Sequence, residues 1–219
     1  MARVTYVEES DATDPVVLEA FERMRMKRGK VTNIYKAFAH KPAILASMGP
    51  FVAAVQQPDE LDARLKERII LRVSLLNRSA YCSHAHRQIS AKMGFTPQEI
   101  ADMEDPAGAD IPDADRAALA FAEEMTLSPG GIRDATYAEL ERHFSESQIV
   151  EITAIAALYN LINRFIEALR LDPEEYCARR APARGAAPPP GARRPSGYPL
   201  AAIWPRISPA PFFAVWTLT

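Results

Sequence analysis

The chain has 219 residues, enough for one domain with a real core, and it is 48% hydrophobic with a formal net charge of −2. All 28 acidic residues precede Cys177, while six of the 26 basic residues follow it, so the main body is clearly acidic. Such a body repels phosphate backbones, which argues against nucleic acid as the main partner.

Helical periodicity dominates and strand signals are nearly absent. The N-terminal "MARVTYVEESDATDP" carries acids and no apolar core, so it does not read as a secretory signal. The spacing predicts a first helix over 14–29, with Asp14 as N-cap and Pro15 at the first helical position. Thr32 is placed to cap "NIYKAFAH", and Pro42 opens "PAILASMGPFVAAVQQ", with a bend expected at Gly49-Pro50. Over 58–77, Leu61, Leu65, Ile69, Val73 and Leu76 recur at helical spacing and define a buried face. "YCSHAHRQISAKMG" follows, stopped by Gly94, and Thr96-Pro97-Gln98-Glu99 has the form of a capping box. Helices are then expected over 113–127, 134–144 and 145–171, the last capped by Ser145 or Ser147 and apolar on most sides, hence in the core or at a subunit interface. Its longest apolar run, "ITAIAALYNLI", is too short to span a bilayer. These elements make an all-α domain over 1–176, with no membrane partner expected.

The composition changes after Glu175. Half of the 18 prolines lie between Pro182 and Pro211, and no Lys, Asp or Glu occurs from 176 onward. Residues 177–219 read as a disordered Pro/Ala/Arg-rich tail, whose composition fits a non-functional or out-of-frame extension better than a docking segment.

The chemistry concentrates in "NRSAYCSHAHRQI". Cys82 falls in the first turn of a helix, where unpaired N–H groups and the helix dipole favour a thiolate, the nucleophilic form. His86, four residues on, shares its face and is placed to take the thiol proton. His84 points elsewhere, as a surface or interface residue. Glu67 lies on the preceding helix, and the short break around 77–80 folds that helix back, so Glu67, Cys82 and His86 can meet. Competing readings stand beside this one. A single Cys in a helix is commonly core, and Glu67 could instead be a solvated partner of Arg64 or Lys66. A metal site of Cys82, His86 and Glu67 is weakly specified, since no second cluster completes a tetrahedral set. No cofactor is called for. Two cysteines far apart suggest a reducing, cytoplasmic setting rather than a disulfide framework.

At these residues the chain resembles the carboxymuconolactone decarboxylase / alkylhydroperoxidase D-like family, whose pattern is a glutamate and, twelve residues on, C-x-x-C-x-x-x-H. Here the pattern is Glu67, then Ser79-Ala80-Tyr81-Cys82-Ser83-His84-Ala85-His86. "TNIYKAFAHKP", "AKMGFTPQEI" and "ALYNLINRF" also match, and the resemblance covers about residues 14–175. It implies an alkylhydroperoxidase D-like helical bundle that assembles into trimers or hexamers. It implies Cys82 as peroxidatic cysteine, with Glu67 and His86 as proton relay. The departures are Ser79, where two-cysteine members keep the partner thiol, and Tyr81, where a histidine is frequent. Ser79 could cap the helix or donate to the thiolate. Regeneration would then need an external thiol reductant, with Cys177 the only internal alternative.

The expected function is thus a peroxidase-like antioxidant enzyme reducing organic hydroperoxides or hydrogen peroxide. The alternatives are a decarboxylase-like lactone or carboxylate enzyme using His86 and Glu67, and a non-catalytic helical oligomer. Asn160 and Asn163 are expected to satisfy packing or an interface rather than line the site. Arg164 is expected to make an ion pair.

Overall fold

The structure is a computed structural model that describes residues 1–57, 59–128 and 130–174. The expectations for the tail 177–219 and for Cys177 concern residues outside the described ones. Among these residues there are helices and turns and no strand: α1 (Pro15–Arg28), α2 (Asn33–Phe38), α3 (Pro42–Gln56), α4 (Ala63–Leu76), α5 (Ala80–Lys92), α6 (Pro97–Asp102), α7 (Asp113–Leu127), α8 (Asp134–Glu141) and α9 (Glu146–Leu169).

The starts follow their capping chemistry. Asp14 accepts from the Val16 N–H at 2.8 Å. Thr96 and Glu99 form a reciprocal capping box on α6, and Ser145 and Gln148 form a second on α9. Thr32 occupies the N-cap of α2 without a side-chain cap bond. Pro50 sits inside α3, which is continuous through it. One expectation shifts. The fourth helix starts at Ala63 rather than 58: residues 59–62 are non-helical, and Leu61 among them is buried in the core. A 3-10 turn at Pro106–Gly108, which periodicity does not reveal, bridges α6 to α7.

Helix α4 is the centre of the bundle and packs on α5, α7 and α9. Ile69, Leu71, Val73, Leu119, Ile152 and Ile155 are almost wholly buried between these helices. Burial of one such side chain contributes about 1.5–3 kcal/mol. Helix α9 is long and apolar enough to cross a membrane by composition, but half of it is buried in this core.

Polar bonds fix how α4 sits. Arg64, Arg68 and Arg72 recur at i, i+4, i+8 along one face. Arg64 reaches Glu99 at 2.5 Å, Arg68 reaches Asp115 at 2.5 Å, and Arg72 reaches Glu123 at 2.7 Å. They pin α6 and α7 to α4. Behind them the buried Lys66 ammonium pairs with Glu151 of α9 and donates to Gln57 O at 2.5 Å. Removing one partner would strand a buried charge at a cost of about 3–5 kcal/mol.

The turn from α4 to α5 is tight. Arg78 adopts a left-handed conformation (φ 55°), and the Ser79 N–H bonds Ser74 O at 3.0 Å. The chain thereby reverses within three residues and brings α5 back against α4.

Candidate active site

The α4–α5 reversal sets the site. Cys82 is the third residue of α5, and the first bond of that helix's ladder runs from the Ser83 N–H to Ser79 O at 2.9 Å. The N–H groups of Ala80, Tyr81 and Cys82 therefore precede the ladder and present the positive end of the helix dipole around the thiol. The thiol itself is buried, 4% exposed.

His86 lies one turn further along the same face, 8% exposed. Its Nδ1 is 2.8 Å from Glu67 Oε1. Glu67 is itself 5% exposed, so the solvated reading of this carboxylate does not hold. Its suggested neighbours are engaged elsewhere: Arg64 with Glu99, Lys66 with Glu151. With Glu67 ionised the carboxylate can only accept, which assigns the proton to Nδ1 and, in the neutral imidazole, leaves the lone pair on Nε2. Ser90 Oγ, one turn beyond His86, lies 2.8 Å from His86 O and 3.3 Å from Glu67 Oε1, and donates to the dyad.

Cys82 and His86 both line a cavity of about 450 Å³ between α1, α2, α3, α5 and α9. Its walls include Met24, Phe38, Leu45, Met48, Val52, Ile89, Ile162 and Ile166. Tyr159 of α9 forms a further wall, its ring edge-on to the His86 imidazole with centroids 5.1 Å apart. The Tyr159 hydroxyl accepts from the Gln56 side-chain amide. Burial, then the negative charges of Glu67 and Cys82, push this phenol far above its ordinary value of 10.0, so it remains a neutral donor. Burial likewise raises the Tyr35 phenol, which also lines the cavity. Sequence reasoning missed Tyr159, Ser90 and Gln56. Ser90 at four residues from His86 is the only one that spacing could have flagged.

The two supporting residues have other duties. Ser79 occupies the N-cap position of α5, but its hydroxyl makes no cap bond and donates instead to Glu167 of α9 at 3.2 Å. Tyr81 lines the cavity with its ring, while its hydroxyl donates to Glu174, which also accepts the Asn33 N–H at 2.9 Å. Tyr81 thus ties α5 to the chain beyond α9.

Outside the site, His84 is half-buried and accepts from the Gln88 amide at 2.8 Å. Asn160 bonds Thr126, Ala156 O and Asn77 and so serves packing within the chain, whereas Asn163 accepts from Ser74 at 3.4 Å with its amide nitrogen buried and unpaired among the described residues. Arg164 is exposed and enters no ion pair among the described residues, unlike the expectation. Among the same residues, His, Cys, Asp and Glu form no cluster of three able to hold a metal ion.

The fold and site define an all-α bundle that presents a cysteine, a carboxylate-anchored histidine and an apolar cavity. The model of the carboxymuconolactone decarboxylase family matches residues 42–124, from α3 through the motif into α7. The uncharacterized protein YdfG of Bacillus subtilis (strain 168) is 32% identical over 106 residues, 48% of this chain and 72% of that protein. The alkylhydroperoxidase AhpD core of an uncharacterized peroxidase-related protein from Ralstonia eutropha JMP134 shares the fold at TM-score 0.71 and 24% identity, over 80% of this chain and 94% of that one. The debrominase Bmp8, as an alanine variant of a cysteine in complex with 2,3,4-tribromopyrrole, matches at TM-score 0.70 and 25% identity, over 80% and 92%. The chain belongs to the carboxymuconolactone decarboxylase family and has its AhpD-like fold. That membership points to enzymatic activity of a peroxidase-related or decarboxylase-like kind.

Proposed function

We propose that the protein is a one-cysteine peroxidase that reduces hydroperoxides at Cys82. The observation that carries this reading is the joint placement of Cys82 and His86 on one cavity wall, with His86 held by the buried Glu67 at 2.8 Å.

His86 Nε2 takes the Cys82 proton, and Glu67 stabilises the imidazolium that results. The thiolate attacks the terminal oxygen of ROOH. An S–O bond forms, the O–O bond breaks, and the departing alkoxide takes the proton from His86 and leaves as ROH. Cys82 is now a sulfenic acid, oxidised by two electrons. With serine at 79 no thiol stands at the partner position, so an external low-molecular-weight or protein thiol resolves it. One thiol displaces water to give a mixed disulfide, and a second releases Cys82 and leaves as disulfide. The neutral Tyr159 hydroxyl is a suitable donor to the developing alkoxide.

The test is mass spectrometry of the Cys82 peptide from the full chain after one equivalent of cumene hydroperoxide. A sulfenic adduct at Cys82, absent from Cys82→Ser and slowed in His86→Gln, is expected. An unmodified Cys82, together with lactone or carboxylate turnover that survives Cys82→Ser, would move the chemistry to acid–base work by His86 and Glu67. The proposal extends to a homo-oligomer, trimer or hexamer: Val150 and Leu161 stand exposed, at 68% and 47%, on the outer side of α9. A monomeric mass by light scattering would remove that part.

A further inference from the structure

The cavity is larger and more apolar than a peroxide group requires. A water occupies about 30 Å³ in the liquid, so 450 Å³ is room for a substantial organic body. Its walls are mostly aliphatic and aromatic, so that body is apolar.

The rim has a different character. It is built from the outer face of α1, where Glu19, Arg23, Lys27 and Arg28 border the opening. Glu19 and Arg23 pair with each other across one helical turn. Lys27 and Arg28 enter no ion pair among the described residues, which leaves the rim cationic. Arg28 is the last residue of α1, before a left-handed Gly29 that turns the chain away. Its charge reaches inward: it counters the rise of the phenols of both Tyr35 and Tyr159, and Tyr159 also senses Cys82. A guanidinium at this position commands the opening of an apolar cleft whose wall holds the thiol. Arginine suits it, since its planar fork engages a carboxylate through two parallel bonds.

We propose that Arg28 is the residue that selects substrate, and that the cavity takes amphipathic organic anions: an apolar body within, a carboxylate at the rim on Arg28. The substrate class is then a hydroperoxide of a carboxylic acid with a long apolar chain, in preference to hydrogen peroxide or a neutral ester. The catalytic part of this statement rests on the peroxidase reading above. The recognition part does not.

Two measurements separate them. Binding of dodecanoate and of 1-dodecanol to full-length Cys82→Ser protein, by calorimetry, reads recognition without turnover. Arg28→Gln in that background should weaken dodecanoate by tenfold or more and leave dodecanol within twofold, and Arg28→Lys should restore part of the loss. Reduction of linoleic acid hydroperoxide and of its methyl ester by the protein with native Cys82 reads selection. Arg28→Gln should raise KM for the acid by tenfold or more and KM for the ester by less than twofold. Equal loss for acid and ester, no loss for either, or no binding of dodecanoate would overturn the assignment. If dodecanoate binds through Arg28 while neither hydroperoxide oxidises Cys82, recognition stands and the peroxidase reading fails.

Discussion

Glu67→Gln tests the relay with the least disturbance of shape. The amide matches the carboxylate in size, can still accept from Ser90, and retains an oxygen for the His86 Nδ1–H. What it removes is charge. The present bond is 2.8 Å long, between groups that are 5% and 8% exposed, and becomes an ion pair once the imidazole is protonated. A charged hydrogen bond contributes about 1.5–3 kcal/mol and a neutral one about 1. The imidazolium therefore loses about 1–2 kcal/mol, which lowers the rate of Cys82 oxidation by about 5- to 30-fold at 1.4 kcal/mol per tenfold. Removing the base itself, in His86→Gln, costs about 10²–10⁴-fold. The assay is a single-turnover quench with cumene hydroperoxide at pH 7, Cys82 oxidation being read by mass spectrometry. Circular dichroism checks that the helices are intact. A Glu67→Gln protein that is folded and oxidises Cys82 within twofold of the parent would refute the relay.

Two further outcomes test the scaffold. Ile155, fully buried in α9, gives Ile155→Ala a loss of about 2–5 kcal/mol in urea unfolding, through lost burial and the cavity left behind; a loss below 1 kcal/mol would mean that α9 is not central to the core. The Glu99 carboxyl is held below its ordinary value of 4.5, first by the Thr96 N–H at 2.8 Å and then by Arg64. A depressed pKa contributes stability that is present above the unfolded value and lost as pH falls through the folded one. The stability gap between the parent and Glu99→Gln should therefore be widest near neutral pH and shrink below about pH 4.5. A gap that is constant with pH would contradict it.

The helices were legible because their signals are local. Asp14, the Thr96–Glu99 box and Ser145 act within four residues of themselves, and the Leu61-to-Val73 spacing identifies a face without naming what covers it. Starts and stops failed where a distant packing demand intervened. Residues 59–62 lie outside the helix, with Leu61 buried in the core. Ser79 shows the same limit. Spacing marked it as a cap, but Glu167 lies across the fold on α9 and takes its hydroxyl instead.

The helical class, the family pattern from Glu67 to His86, and the stacking of Cys82 beneath His86 follow from the local sequence, since a helix puts i and i+4 on one face. The burial of Glu67 against His86, rather than in solvent, follows only from how the helices pack. That outcome depends on the left-handed Arg78, which folds α5 onto α4, and on Glu99 and Glu151, which engage Arg64 and Lys66 from other helices. Packing also decided the cavity. Met24, Phe38, Leu45, Ile89 and Tyr159 come from five different helices, and no periodicity along one helix reports what stands opposite it. The rim arginine at the end of α1 and the thiol at the start of α5 are 54 residues apart in the chain. That they line one cavity is a property of packing, set by burial of apolar faces that each helix carries but cannot satisfy alone.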